Sequence, residues 1–474
     1  MQDPATLGSA HVASDLLLIS DLHLGSHLKP RMRGDSVHLA SRIEEVFGPF
    51  IAHYQRQGPW QLVINGDFID FWNIELAGAA DLPAETVAVA RLHAVFDAHP
   101  NVEAALQDFL AAGNSVLFVT GNHDAELLYP RVRAAIVSRL TPAVDEVSSR
   151  TDLDNLAALQ AGRIRFVRWF LRDPGGAWIE HGHTFDPSCA TQALLSPTRG
   201  GELVQTVAEV ATRNFANLMP EIDYDAPDKF SGMDYIRWAL ARGWRFVIRV
   251  VLLYLRTAGR ILALWAGPGR VDREGKQIHA ARLAKVAANA GLQMSALMAL
   301  EKMAPPPTAT TVAGLLGITF LDHVLMVLAL GVAGWLGGGM LGWSAPGALV
   351  GIAIAVLLLG RKHRRKRPRN VARDMLEVAA GVGEVTGVPL VLMGHSHHGS
   401  LDRLGDIVYA NSGSWLDGSH LVVRRDATSH RFTSVELRRW RNGGVLALDV
   451  MDVPKPSTPL PSELVSTVTV SQSS

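Results

Sequence analysis

Leu16-Leu17-Leu18-Ile19-Ser20-Asp21-Leu22-His23 is the stretch from which the fold can be read. An apolar run that stops at polar residues reads as a buried strand. Asp21 and His23 stand at its carboxyl end, where open α/β sheets gather their chemistry. Their spacing puts both side chains on one side of an extended chain, and a carboxylate beside an imidazole suits a divalent metal. A lone Asp-x-His would be weak evidence, but the arrangement recurs. Trp60–Ile64 runs into Asn65-Gly66-Asp67-Phe68-Ile69-Asp70, and Ser115–Thr120 into Gly121-Asn122-His123-Asp124. Ala177–Glu180 runs into His181-Gly182-His183, and Pro389–Met393 into Gly394-His395-Ser396-His397. Five strand ends thus carry ligand-type residues beside glycines that allow tight turns. Carboxylate and amide oxygens mixed with imidazoles suit Mn, Fe or Zn in a catalytic rather than a thiolate site.

Helical patterns separate these strands, at Ser36–Tyr54 with a break at Gly48-Pro49, at Ala84–Ala98 and at Val102–Ala112. Arg163–Phe170 reads as a further strand, and the chain from Tyr409 to about Val453 as β-rich. The fold class is therefore α/β. At 474 residues there is room for two or three domains. Lys+Arg and Asp+Glu balance at 45 each, so no polyanion or nucleic-acid partner is expected. Cys189 is the only cysteine, which excludes an internal disulfide and cysteine-based zinc sites. The opening residues lack the basic and apolar regions of a signal peptide. The Pro/Ser/Thr-rich stretch 454–474 reads as a disordered tail.

The ordered set Asp-x-His, Gly-Asp-x-x-Asp, Gly-Asn-His-Asp, a later His and Gly-His-x-His resembles the calcineurin-like metallophosphoesterase family. The resemblance implies a four-layer αββα sandwich, in two parts at 1–200 and 371–453, around two divalent metal ions, with Mn favoured and Fe or Zn as alternatives. It implies that Asp21, His23 and His397 hold one metal, that Asn122, His181 and His395 hold the other, and that Asp67 bridges them. His123 would act beside the substrate, oriented by Asp70. His183, His398 and Asp124 are read as structural. Two such cations lower the pKa of a shared water and clamp the oxygens of an in-line displacement at phosphorus. An imidazole titrating near neutrality suits proton donation to the leaving group.

Residues 201–370 form an insertion that a minimal phosphoesterase does not need. Asp234–Trp265 reads as a helix whose arginines at 242, 245, 249, 256 and 260 share one face. Such a stripe on an apolar helix suits an anionic membrane or a phosphate-bearing substrate. Thr311–Met340 is apolar apart from Asp322 and His323, and Ala345–Gly360 is apolar throughout. A membrane-spanning helix takes about 20 apolar residues. Arg361–Arg369 follows with seven Lys/Arg in nine positions, a cytoplasmic-side signal. The expectation is a membrane hairpin at about 311–360 whose two ends return to the cytoplasmic face of a cell inner membrane.

A membrane-held phosphoesterase implies a lipid-linked phosphate substrate. Within the family the chain is most similar to UDP-2,3-diacylglucosamine diphosphatases, through Ser20-Asp-Leu-His-Leu-Gly25, Phe71-Trp72, His181-Gly182 and Gly394-His395-Ser396-His397. Those enzymes commonly carry Arg in place of His123 and have a shorter insertion. Hydrolysis of another membrane phospholipid or of a soluble nucleotide phosphodiester is the alternative, and a non-catalytic membrane scaffold of the same fold is a further one. Oligomeric state is left open by the sequence.

Overall fold

The computed structural model describes residues 14–28, 35–76, 78, 81–141, 162–219, 237–319 and 371–455. Its frame is two mixed sheets laid face to face. The first contains β1 (Asp15–Ile19), β2 (Trp60–Asn65), β3 (Ser115–Val119) and β4 (Ile164–Val167) in parallel. The second has β5 (Phe170–Asp173) and β6 (Ala177–Glu180) as an antiparallel pair at one edge. A small ribbon of β7 (Thr198–Arg199) and β8 (Glu202–Leu203) stands apart. In the second sheet β6 also pairs in parallel with β9 (Leu390–Met393), beyond which lie β10 (Ser400–Leu404) and β11 (Ile407–Asn411). The chain then returns to the first sheet as the antiparallel strands β12 (Ser419–Arg425), β13 (Phe432–Arg441) and β14 (Gly444–Asp452). The orders are β14-β13-β12-β1-β2-β3-β4 and β10-β11-β9-β6-β5.

Period-two alternation distributes each strand between two cores. Leu16 and Leu18 of β1 face the second sheet, meeting Ile179, Leu392 and Ala410. Leu17 and Ile19 face the other way, into a core closed by α1 (Asp35–Gln55), α2 (Ala84–Ala98), α3 (Pro100–Ala111) and α4 (Pro130–Leu140). The insertion begins with α5 (Val207–Asn214) and α6 (Trp244–Ala263). The outer face of the second sheet, including Trp178, Val391 and Tyr409, is covered by α7 (Arg273–Asn289), α8 (Met294–Met303) and, after α9 (Val312–Ile318), by α10 (Val371–Thr386). Part of the insertion is therefore built into the outer layer of the body.

Three sequence readings are corrected. α1 runs through Pro49 instead of breaking there. Proline removes a helix hydrogen bond, but Phe47, Phe50 and Tyr54 lock into an aromatic cluster with Trp60, Trp415 and Trp440, and that packing overrides the break. Arg163–Phe170 is not one strand. It divides at Arg168-Trp169, where the chain passes from the first sheet to the second. The arginine helix starts at Trp244, because Gly243 sits at φ 92°. Arg242 thus precedes the helix, and residues 234–236 lie outside the described residues.

Among the described residues no single helix is long and apolar enough to cross a membrane. The stretch 311–340 is described only as far as Thr319. Residues 345–360, the basic run 361–369 and the tail from 456 lie outside the described residues.

Candidate metal centre

Because β1, β2 and β3 run parallel, as do β6, β9 and β11, their carboxyl ends open on one side of the two sheets. The chain beyond β1 keeps pairing with the chain beyond β2. Asp21 N–H donates to the Gly66 carbonyl at 3.2 Å, and His23 N–H to the Asp67 carbonyl at 2.9 Å. The sheets are stitched together at the same place. His395 N–H donates to Asp21 Oδ2 at 3.1 Å, and the Asn65 amide donates to the Glu180 carbonyl at 3.0 Å.

Five of the eight non-glycine residues at positive φ among the described residues are Asp21, His23, Asp67, His395 and His397. Left-handed backbone costs about 1–3 kcal/mol at such residues and concentrates at functional sites. Here it turns each strand end back on itself so that its side chain points into the cleft. Gly121 permits the closest approach. A Cβ there would strike the Asp67 carboxylate and its backbone nitrogen.

The side chains form overlapping groups with potential ligand atoms all within 4.8 Å of one another: Asp21, His23 and His397; His23, Asp67 and His123; Asp67, His181 and His395. Asp21 Oδ1 lies 3.3 Å from His397 Nε2 and 3.9 Å from His23 Nε2. The two imidazole nitrogens face each other at 3.4 Å. Asp67 Oδ2 lies 3.3 Å from His181 Nε2 and 3.9 Å from His23 Nε2, so it stands between the two sides. Asn122 Oδ1 is 3.2 Å from His181 Nε2. His181 Nδ1 donates to the Asn65 carbonyl at 2.7 Å, which aims Nε2 at the cluster as a metal ligand requires. The groups can hold metal ions.

Electrostatics point the same way. Burial alone would push the His181 imidazole down. The Asp67 carboxylate, joined by Asp21 and the Asn65 carbonyl, outweighs it and lifts the group to about 10. Burial would raise Asp67, yet the imidazoles of His181, His123 and His23 hold it well below the usual carboxylate range. Asp21 is likewise held at about 2 against its burial, chiefly by His397. His23, buried and facing His123, falls to about 3. The carboxylates of Asp67 and Asp21 thus make a field around His181 that favours positive charge.

His123 is positioned by two contacts. Its Nδ1 lies 2.9 Å from Asp70 Oδ1, and its ring packs on Trp72 with centroids 3.8 Å apart. Burial disfavours its charged form, but Asp70 and Asp67 overcome that and raise its pKa. Asp124 accepts from Gly121 N–H at 2.6 Å and Phe68 N–H at 2.8 Å, so it props up the loops. His183 packs beside His181 and His395, and His398 stands outside all these groups.

Sequence reasoning missed Asp186. Its Oδ2 lies 3.4 Å from His395 Nε2, and with Cys189 and His395 it forms a fourth group of ligand-type atoms. The only signal was its place soon after His181-Gly182-His183. Ser20 was also passed over. Its hydroxyl donates to Asp21 Oδ2 and meets Ser412 Oγ at 2.7 Å.

A cavity of about 770 Å³ opens beside Asn122 and Trp72, and Arg91, Arg168, Arg199 and Arg213 are on its walls. Compared with models of known protein families and with curated proteins, the chain finds no match in either.

Proposed function

We propose that the protein is a dinuclear-metal-dependent hydrolase of phosphate esters or anhydrides, built as an αββα metallophosphoesterase sandwich with residues 201–370 inserted. The observation that carries this reading is the position of Asp67, between an Asp21/His23/His397 group and an Asn122/His181/His395 group, with His123 beside His23 and Asp67. Two divalent cations, with Mn favoured, would supply Lewis acidity and an activated water for in-line displacement at phosphorus.

The chain's own residues do the rest. Asp70 holds His123 Nδ1, which leaves Nε2 to hand a proton to the departing oxygen or to steady charge on the phosphoryl group. Trp72 fixes the plane of that ring. The arginines of the adjoining cavity supply donors for phosphate. Its aromatic and polar wall favours a substrate with a substantial polar group beyond the scissile phosphate.

The apolar segments 311–340 and 345–360 and the basic run 361–369 support a location on the cytoplasmic face of a cell inner membrane and a lipid-linked substrate resembling UDP-2,3-diacylglucosamine. Detergent-solubilised protein with Mn²⁺ is to be assayed in parallel on that lipid nucleotide and on a chromogenic phosphodiester. Release of UMP at far higher kcat/KM supports the lipid substrate. Turnover of the chromogenic ester alone keeps the metal centre and rejects the lipid. No turnover of either sinks the reading.

A further inference from the structure

α6 presents three different faces. Its buried face, at Thr257, Ala258 and Ile261, packs on the body. There Thr257 Oγ1 donates to the Asn214 carbonyl at 3.1 Å, and Arg260 reaches the Asn214 side chain. A second face carries Trp244, Ile248, Val251, Leu252 and Leu255, all exposed, with Trp244 at 69%, Leu252 at 62% and Leu255 at 54%. At 100° per residue these five fall within an arc of about 100°. Arg245, Arg249, Arg256 and Arg260 fill the next arc of about 60°; of these, Arg249 donates to the Leu218 carbonyl at 3.0 Å and Arg260 to the Asn214 side chain. A contiguous exposed apolar face calls for a partner, and a flanking arginine arc makes that partner anionic at its edge.

The helix also stands close to the reaction cleft. Asn217, in the turn after α5, donates to the Trp72 carbonyl at 3.1 Å, and Trp72 packs on His123. Gly267 and Pro268, just past α6, line the cavity. On its buried side Tyr254 donates to the Thr319 carbonyl, the last described residue before the apolar stretch that continues to 340. The chain therefore leaves the described body beside this helix, heading into its most apolar segment.

We propose that α6 is an in-plane membrane-docking helix whose exposed apolar face enters an anionic phospholipid bilayer while Arg245 and Arg256 of its arginine arc meet the lipid phosphates. The docked helix sets the mouth of the cavity against the headgroup layer. A substrate then reaches the Asp67 cluster by rising out of the lipid, without crossing water. The docking of α6 shares its membrane location with the proposed function and needs nothing from the hydrolytic reading; only the substrate's route to the Asp67 cluster rests on that reading.

The test is site-directed spin labelling of the full-length protein in phosphatidylcholine vesicles, with and without phosphatidylglycerol. Buried Cys189 stays in place, and protein without an added cysteine is the labelling control. Labels go on Leu252→Cys in the apolar arc, on Arg256→Cys in the arginine arc, and on Leu328→Cys in the segment beyond Thr319. The expected result is oxygen access without nickel-chelate access at 252, at a depth of roughly 5–10 Å, with 256 in the aqueous headgroup layer. Arg245→Gln with Arg256→Gln should weaken membrane contact by roughly tenfold or more and make label 252 insensitive to phosphatidylglycerol. A label at 252 open to the chelate in vesicles overturns the proposal. So does a label shielded from both reagents, since protein (residues 320–360 or a second chain) would then cover the face. Label 328 separates the two membrane claims. Lipid exposure at 328 without lipid exposure at 252 rejects the docking helix and leaves the hairpin standing. The opposite result does the reverse.

Discussion

Asp67 belongs to two of the groups in the cleft, facing His23 and His181 through Oδ2 and accepting the His123 amide at Oδ1 over 2.8 Å. Asp67→Asn keeps the size and removes the charge. It is expected to abolish hydrolysis and to cut bound Mn²⁺, measured by metal analysis after dialysis, while the circular dichroism of the fold persists. Asp186 contacts His395, with Oδ2 3.4 Å from its Nε2. A partner that orients a metal-binding imidazole commonly matters by about 10–100-fold in affinity. Asp186→Asn should weaken Mn²⁺ binding by about that factor, with activity recovered at high Mn²⁺. An unchanged Mn²⁺ titration would show that the contact with His395 is incidental. Asp21, His23 and the other ligand-type residues were legible because each lies just past a short apolar run, with a glycine within a few residues. Asp186 follows a turn of 3-10 helix at His183–Phe185, where no periodicity marks it.

The elements behave as units with their own balance of propensity against packing. Parallel strands are legible as apolar runs because both faces are buried, and β1, β2, β3 and β9 each read that way. Pro49 was misread since a local rule cannot see Trp415 and Trp440 arriving from the far end of the chain. His420 on β12 belongs to that same aromatic cluster, with Nε2 2.7 Å from the Tyr54 hydroxyl. Burial pushes its imidazole down to about 4. A depressed histidine binds its proton in the unfolded chain first, so it stabilises the fold above pH 6.5 and that contribution drains away as pH falls from 6.5 towards 4. At 1.36 kcal/mol per unit this is worth roughly 3 kcal/mol. Denaturant titrations should show the stability of the native protein falling relative to His420→Gln over that window. A pH-independent difference would contradict the assignment.

At the scale of the whole molecule, each sheet joins an early and a late stretch of chain, β1 to β4 with β12 to β14 in the first and β5 and β6 with β9 to β11 in the second, and the two meet at one cleft. β1 to β4 come before residue 168, and β9 to β11 after residue 389. A metal held between Asp21 and His397, or between Asp67 and His395, would tie those stretches together. A ligand that binds only the folded state at 100 times its Kd stabilises by about 2.7 kcal/mol. Mn²⁺ should therefore raise the melting temperature of the native protein and leave that of Asp67→Asn unmoved, as read by scanning calorimetry. The allegiance of α7 and α8 to the second sheet was not legible in the sequence. An amphipathic helix shows that it has a buried face and says nothing of which surface receives it.

The most direct measurement is the initial rate of bis-(p-nitrophenyl) phosphate hydrolysis by detergent-solubilised full-length protein, stripped with EDTA and titrated with Mn²⁺. The account predicts no turnover before metal is added, a rise that saturates at two Mn²⁺ per chain, and no rise in Asp67→Asn. Turnover that survives EDTA, or no turnover at any Mn²⁺ concentration, would contradict it.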